Sequence, residues 1–298
     1  MSEHSFILLK IAGFTFVRNA IKYDYPIVEA ITSILPLCDE VVVAVGDSED
    51  NTLALIQAID SPKIRIIETI WDDSLREGGQ VLAIETDKAL AAISPDTDWA
   101  FYIQGDEVIH EKYLPIVREA MEKNLPDTHV EGLLFNYLHF YGSYRYVGDA
   151  ARWYRREIRV IRNTGKVRSY RDAQGFRTTD NQKLRVKLID ACIYHYGWVR
   201  TPDRMREKLR DFGQLWHSDE EMTAIRQEAE AFDYSQVDSL RLFEGTHPAV
   251  MQNRIKRMSW VFDFDVKQKQ LSFKNRIKAL IARLTGLRIG EYRNYKML

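Results

Sequence analysis

Cysteine is scarce in this chain of 298 residues, which contains only Cys38 and Cys192, far apart in sequence. Without a CxxC pair or a cysteine cluster, a disulfide framework and a structural zinc site are excluded, and a reducing, cytoplasmic compartment is expected. Long apolar runs are absent too, and the short stretch from Phe6 to Leu9 has no small-residue cleavage site after it. We therefore expect neither a signal peptide nor a membrane-spanning helix.

An excess of charge of either sign is also lacking. The chain has 42 Lys plus Arg against 43 Asp plus Glu, a formal net charge of -1. Together with the absence of a recognisable nucleic-acid module, this predicts no nucleic-acid partner. Hydrophobic residues make up 45% of the sequence, which is ample for a large core.

Short β-rich segments alternate with helical patterns in the first third of the chain. The patterns predict strands at residues 11–17, 40–45, 64–68 and 99–103, and helices at 26–35, 52–59 and 79–92. Right-handed crossovers would place these strands in one mostly parallel α/β sheet flanked by helices. Helical patterns at 202–216, 219–232 and 249–262 predict a helical C-terminal extension, residues 201–298, packed on a domain of residues 1–200.

The strand at 99–103 ends abruptly in Gln104-Gly105-Asp106-Glu107. The two carboxylates cannot be buried unless they are paired or liganded, and oxygen ligands suit Mg²⁺ or Mn²⁺. Open α/β sheets bind ligands at the carboxyl ends of their strands, where Arg18-Asn19 and the segment from Asp47 to Thr52 follow two other strands. The alternative is a polar start to the next helix.

Together, these three places resemble family 2 glycosyltransferases of the GT-A fold, and the chain looks like a divergent bacterial-type member. Val17-Arg18-Asn19 resembles the end of the family's opening strand, residues 47–52 resemble its Asp-Gly-Ser-x-Asp-x-Thr turn, and residues 104–107 resemble its Asp-x-Asp motif. The resemblance implies a GT-A, Rossmann-like domain at residues 1–200. It also implies transfer of a sugar, with inversion, from a nucleotide-diphosphate donor to a glycan or lipid-linked acceptor. A non-catalytic GT-A-like protein that binds nucleotide or glycan is the alternative.

The resemblance implies a set of nucleotide-sugar-binding residues: Arg18, Asn19, Asp47, Asp50, Gln104 and Asp106. Asp47 or Asp50 would contact the base or ribose. Gln104 stands where the family has an aspartate, so a divalent cation, Mn²⁺ or Mg²⁺, would depend more on Asp106 and on the donor's diphosphate.

Three further residues complete the predicted site. His195 follows an apolar strand and precedes Gly197, which permits a turn; it resembles a late histidine that ligates the metal in some GT-A enzymes, and otherwise it is a core histidine. Asp172 is the predicted catalytic base, chosen over Asp149, Glu157, Asp180 and Asp190 because its segment is loop-like. Among Arg171, Arg177 and Arg200, we name Arg177 for the diphosphate.

Two other segments suggest contacts. Aromatic residues between 136 and 154 could line an acceptor site, and residues 156–162 predict a strand near a sheet edge. The C-terminal stretch predicts a basic amphipathic helix with an apolar face of Ile277, Leu280, Ile281 and Leu284, amid Lys269, Lys274, Arg276, Lys278 and Arg283. Such a helix could hold the protein peripherally on the inner membrane face, or it could pack on the catalytic domain.

Overall fold

The computed structural model describes residues 9–75, 78–218, 220–267, 270–271, 273–285, 288 and 290–298. Its first part alternates strands and helices: β1 (Ile11–Val17), α1 (Ile27–Ile34), β2 (Glu40–Gly46), α2 (Thr52–Gln57), β3 (Ile64–Thr69), α3 (Gln80–Ala92) and β4 (Trp99–Tyr102). These elements confirm the predicted order and agree with the predicted bounds to within two residues.

The middle of the chain is mainly strands: β5 (Glu107–Ile109), α4 (Leu114–Asn124), β6 (Gly132–Tyr141), β7 (Ser143–Gly148), β8 (Arg156–Arg162), β9 (Val167–Tyr170), β10 (Gly175–Thr178) and β11 (Leu184–Trp198). The last part contains α5 (Pro202–Gly213), α6 (Met222–Glu230), β12 (Leu240–Leu242), α7 (Gln252–Lys256), α8 (Phe273–Thr285) and β13 (Tyr295–Met297). Within the described residues, each helix is too short or too polar to span a lipid bilayer.

The main sheet has the order β12-β7-β6-β8-β4-β1-β2-β3, with β11 along the other edge of β6 and β5 and β13 paired to β11. Strands β5, β7 and β8 run against the other strands, so the predicted mostly parallel α/β sheet is confirmed. Strands β9 and β10 form a separate hairpin. Because β1, β2 and β4 are parallel neighbours, their carboxyl ends meet at one edge.

Both faces of the sheet are covered, which explains why β1 and β2 are apolar throughout. Val41, Val43 and Val45 of β2 pack with α1, whereas Val42 and Ala44 face a second core that contains residues of α3. Alternate side chains of a strand point to opposite faces, so one apolar run serves two cores.

Two sequence expectations need correction. Strand β8 lies between β4 and β6, inside the sheet and not near an edge. Its apolar side chains Ile158, Val160 and Ile161 are all buried, which favours this interior position. The helix expected at 249–262 is shorter, since α7 ends at Lys256. The segment after residue 200 also contributes β12 and β13 to the main sheet, while α5 and α6 confirm its helical character. The division into residues 1–200 and 201–298 stays a prediction.

Candidate active site

A cavity of about 240 Å³ lies at the carboxyl ends of β1 and β4. Its polar lining is formed by Arg18, Gln104, Asp106, Asp172, His195 and Lys208, and its aromatic walls by Phe16, Tyr25, Trp71, Phe212 and Trp216. A second cavity of about 390 Å³ shares Arg18, Trp71 and Phe212 with it. We call the 240 Å³ cavity the inner cavity and the 390 Å³ cavity the outer cavity.

Asp106 and His195 are brought together by the pairing of β5 with β11. Glu107 pairs with His195 in register, and the backbone N–H of Tyr196 donates to the carbonyl of Asp106 at 2.7 Å. His195 Nε2 lies 3.7 Å from Asp106 Oδ1. A Cβ on Gly197 would come within 2.6 Å of the His195 ring and 2.7 Å of Asp106 Oδ2. Gly197 therefore serves the close approach of these side chains, and it lies inside β11 instead of making the expected turn.

A second histidine fixes the tautomer of His195. His139 Nε2 lies 2.8 Å from the carbonyl oxygen of Tyr154, which can only accept, so this nitrogen carries the proton. His139 Nδ1 is then an acceptor, and His195 Nδ1, 3.2 Å away, must donate to it. His195 Nε2 is left with its lone pair on the side of Asp106. Burial lowers the pKa of His139 to about 3 and also lowers that of His195, so both imidazoles are neutral near pH 7.

The Asp106 and His195 pair fits a divalent cation. Ligand bonds to such ions are about 2.0–2.2 Å for imidazole nitrogen and carboxylate oxygen, so two atoms 3.7 Å apart can bind one ion. A neutral imidazole whose other nitrogen is hydrogen-bonded is the usual histidine ligand. The described residues form no cluster of three or more His, Cys, Asp or Glu that could hold a metal, so the other ligands would be a bound diphosphate and water.

Positive charge lies on the other side of Asp106. Lys208 Nζ, on α5, is 3.4 Å from Asp106 Oδ2, and Arg200 lies just beyond the end of β11. Burial alone would raise the pKa of Asp106, but neighbouring positive charge, including that of Lys208 and Arg200, lowers it. Burial, and then repulsion by Arg200, lower the pKa of Lys208 to about 7, against the attraction of Asp106.

Asp172 reaches the inner cavity from the turn between β9 and β10. Its neighbours Arg171 and Ala173 have φ values of +57° and +63°, the left-handed region that few side chains favour. Gln104 Nε2 donates to the carbonyl of Ala173 at 3.1 Å, a bond that an aspartate at position 104 could not make. Gln104 therefore ties the turn that bears Asp172 to the end of β4. Burial raises the pKa of Asp172.

Glu107 has a structural role. It is fully buried and accepts two bonds of 2.8 Å from the Arg159 guanidinium and a third of 2.8 Å from the Tyr137 hydroxyl. Of the two neighbouring carboxylates, Glu107 is neutralised in the core, and Asp106 faces the inner cavity.

The predicted residues after β1 and β2 separate into two groups. Arg18 lines both cavities, with its guanidinium carbon 5.4 Å from the centre of the Trp71 ring, and Asn19 lines the outer one. Asp47 instead contacts Arg18, and Asp50 accepts from the backbone N–H groups of Lys22 and Thr52. These two aspartates stabilise the loops around the outer cavity, and neither lines the inner or the outer cavity.

Arg177 is not brought to the inner cavity. Its guanidinium bonds Asn294 and Asn181 and lies 3.8 Å from the centre of the Tyr170 ring. Two basic residues line the cavity, the predicted Arg18 and also Lys208, which sequence reasoning missed. One signal was available: Lys208 lies three residues after Met205 and four before Phe212, in the apolar stripe of α5. His139 and Trp71 carried no comparable signal.

No protein-family model matches the chain, and no curated protein sequence matches it significantly. Among solved structures, this chain is similar to S. aureus TarS 1-349 in complex with UDP, with a TM-score of 0.39 and 14% identity. The match covers 76% of this chain and 74% of TarS 1-349. Glucosyl-3-phosphoglycerate synthase from Mycobacterium tuberculosis, in complex with Mn²⁺, UDP and phosphoglyceric acid, is similar to 44% of this chain over 43% of its own, with a TM-score of 0.30 and 22% identity.

The 4-diphosphocytidyl-2C-methyl-D-erythritol synthase from Anaerococcus prevotii is similar to 74% of this chain over 96% of its own, with a TM-score of 0.38 and 10% identity. All three TM-scores are below 0.5, so these likenesses carry no argument about ligand or reaction. Function must be inferred from this chain's own residues.

Proposed function

We propose that the chain is a GT-A-like glycosyltransferase that moves a sugar from a nucleotide-diphosphate donor to an acceptor hydroxyl with inversion. The observation that carries the proposal is the inner cavity. Between its aromatic walls lie Asp106 and His195, the amine of Lys208 and the separate carboxylate of Asp172. Glycosyl transfer needs a counter-charge for the departing diphosphate and a base for the acceptor.

Each group has a role in this proposal. Asp106 and His195 would hold a divalent cation, which supplies Lewis-acid charge to the diphosphate. Asp172 would take the proton of the acceptor hydroxyl, whose oxygen forms the new bond to C1 of the sugar. The bond from C1 to the β-phosphate oxygen breaks, and its electron pair leaves on that oxygen. Burial raises the pKa of Asp172, which makes its carboxylate a stronger base.

The test is turnover of a panel of nucleotide sugars with Mn²⁺, with and without candidate glycan acceptors. We expect Asp172→Asn to lower turnover by about 10²–10⁴-fold, the usual effect of losing a general base, while nucleotide affinity is retained. Asp180→Asn, which changes an exposed aspartate of the same region, is the matched control and should keep full activity.

Two outcomes would contradict this assignment. Equal activity of Asp172→Asn and the wild-type protein would exclude Asp172 as the base. Tight nucleotide binding with no turnover of any donor would instead favour the alternative, a non-catalytic GT-A-like binding protein.

A further inference from the structure

Arg200 is a fully buried arginine, and among the described residues its three guanidinium nitrogens lack a hydrogen bond of normal geometry, although the Tyr25 side chain interacts with it. Its guanidinium carbon lies 5.2 Å from the centre of the Tyr25 ring. A buried charge without hydrogen bonds is costly unless a compensating charge is close. An arginine in this state indicates a region of the protein that accommodates an anion.

Lys208 approaches the same ring of Tyr25, with its Nζ 4.9 Å from the ring centre, and it lines the inner cavity. The partner that the structure gives its ammonium is Asp106, at 3.4 Å. Two basic side chains, Arg200 and Lys208, therefore act on the one carboxylate of Asp106, and all three side chains are largely buried. This leaves an excess of positive charge beside the cavity.

The position of that charge defines the anion. Asp106 turns Oδ1 toward His195 and Oδ2 toward Lys208. A ligand that contacts both a cation held by Asp106 and His195 and the ammonium of Lys208 needs several anionic oxygens. A diphosphate carries more negative charge than a monophosphate and spreads its oxygens over two phosphorus atoms, so it is the better match to both positive groups.

We propose that Lys208 moves from Asp106 to a diphosphate oxygen when a nucleoside diphosphate enters the inner cavity, and that the buried charge of Arg200 favours this binding from behind Tyr25. The inference rests on the proposed function for the identity of its ligand. It replaces Arg177 with Lys208 as the basic residue that binds the diphosphate.

Calorimetry with UDP, GDP, UMP and GMP in the presence of Mn²⁺ tests the proposal. Lys208→Met should lower the affinity for UDP and GDP at least tenfold and the affinity for UMP and GMP less than threefold. Lys208→Arg should bind all four nucleotides with affinities within threefold of the wild-type values. Lys112→Met is the matched control, because Lys112 also lies over an aromatic ring, 4.9 Å from the centre of Tyr113, but lines neither cavity. Thermal melts establish that each variant is folded; if Lys208→Met is not, Lys208→Gln takes its place.

The outcomes separate this inference from the proposed function. Two results would overturn the role of Lys208 and leave the proposed function standing. In the first, the folded Lys208 variant binds diphosphates within twofold of the wild-type affinity; in the second, it loses equal affinity for UDP and UMP. Absence of any nucleoside diphosphate binding by the wild-type protein would overturn the proposed function, and this inference with it.

Discussion

At the residue scale, the tautomer of His195 is set by His139, which does not line the inner cavity. The carbonyl of Tyr154 holds the proton of His139 on Nε2, and His139 Nδ1 then holds the proton of His195 on its Nδ1. The result is an imidazole lone pair aimed where Asp106 offers a carboxylate oxygen. Such outer partners of a ligand fix both its tautomer and its ring orientation.

We predict that His139→Leu weakens Mn²⁺ binding by about tenfold, because loss of an outer partner typically costs 10–100-fold in metal affinity. His139→Asn should keep most of the affinity, since its amide oxygen can accept from His195 Nδ1. The measurement is Mn²⁺ titration in the presence of UDP, with unfolding curves for each variant.

His129→Leu is the control, because the side chain of His129 is 77% exposed and lines neither cavity. If His139→Leu is folded and binds Mn²⁺ as the wild-type protein does, His139 has no part in orienting a metal ligand.

At the element scale, the amino-terminal half of the sheet was predictable. The strands β1, β2 and β4 are apolar on both faces, and helices separate the first four strands, so length and periodicity identify them. Because the carboxyl ends of parallel strands meet at one edge of a sheet, the sequence also predicted that Arg18, Asn19 and Asp106 lie near one another.

The rest depended on pairings that sequence does not record. Strand β11 is apolar along most of its length, but only its antiparallel pairing with β5 sets His195 opposite Glu107 and thus beside Asp106. Lys208 enters the cavity because α5 is held over the loop after β1 by contacts such as that of Lys22 Nζ with Asp211, 3.0 Å apart. Long-range contacts of this kind carry no local pattern.

A second histidine links elements elsewhere in the fold. His247 Nε2 donates to the carbonyl of Tyr144 on β7, at 3.0 Å, and its Nδ1 accepts from the hydroxyl of Tyr196 on β11, at 2.8 Å. The bond at Nδ1 requires the neutral ring, because a protonated Nδ1 could not accept from the Tyr196 hydroxyl. Burial, opposed by the bond to Tyr144 and aided by the charge of nearby His110, lowers the pKa of His247 to about 4.

We therefore predict that stability falls on mild acidification. Between pH 6.5, the ordinary pKa of histidine, and about 4, the unfolded chain takes up a proton at His247 that the native protein does not, so the free energy of unfolding decreases as the pH falls. At pH 5, His247 lowers the free energy of unfolding by on the order of 1 kcal/mol, allowing for its partial exposure. Urea unfolding at pH 7.5 and 5 should show a smaller decrease for His247→Asn than for the wild-type protein, and His129→Asn should leave it unchanged. An equal decrease for His247→Asn would show that His247 titrates normally in the fold.

At the scale of the whole molecule, α8 presents apolar side chains to solvent. Ile277, Leu280 and Leu284 are 45%, 56% and 75% exposed, beside the basic residues Arg276 and Lys278. Lys269 of the predicted basic set lies outside the described residues. An exposed apolar stripe with basic neighbours is typical of a helix that lies on an anionic lipid surface.

We predict that the full-length protein binds vesicles containing anionic phosphatidylglycerol and is released by salt, because each basic residue near such a surface contributes about 1 kcal/mol and salt screens it. Truncation before α8 would be a poor test, since it removes β13, which pairs with β11. The double substitution Leu280→Gln and Leu284→Gln keeps the chain intact and should abolish sedimentation with the vesicles. Val261→Gln, which changes an exposed apolar side chain outside α8, should not. If the full-length protein stays in the supernatant with these vesicles at low salt, α8 has no affinity for lipid, and an acceptor in solution becomes the one to assay first.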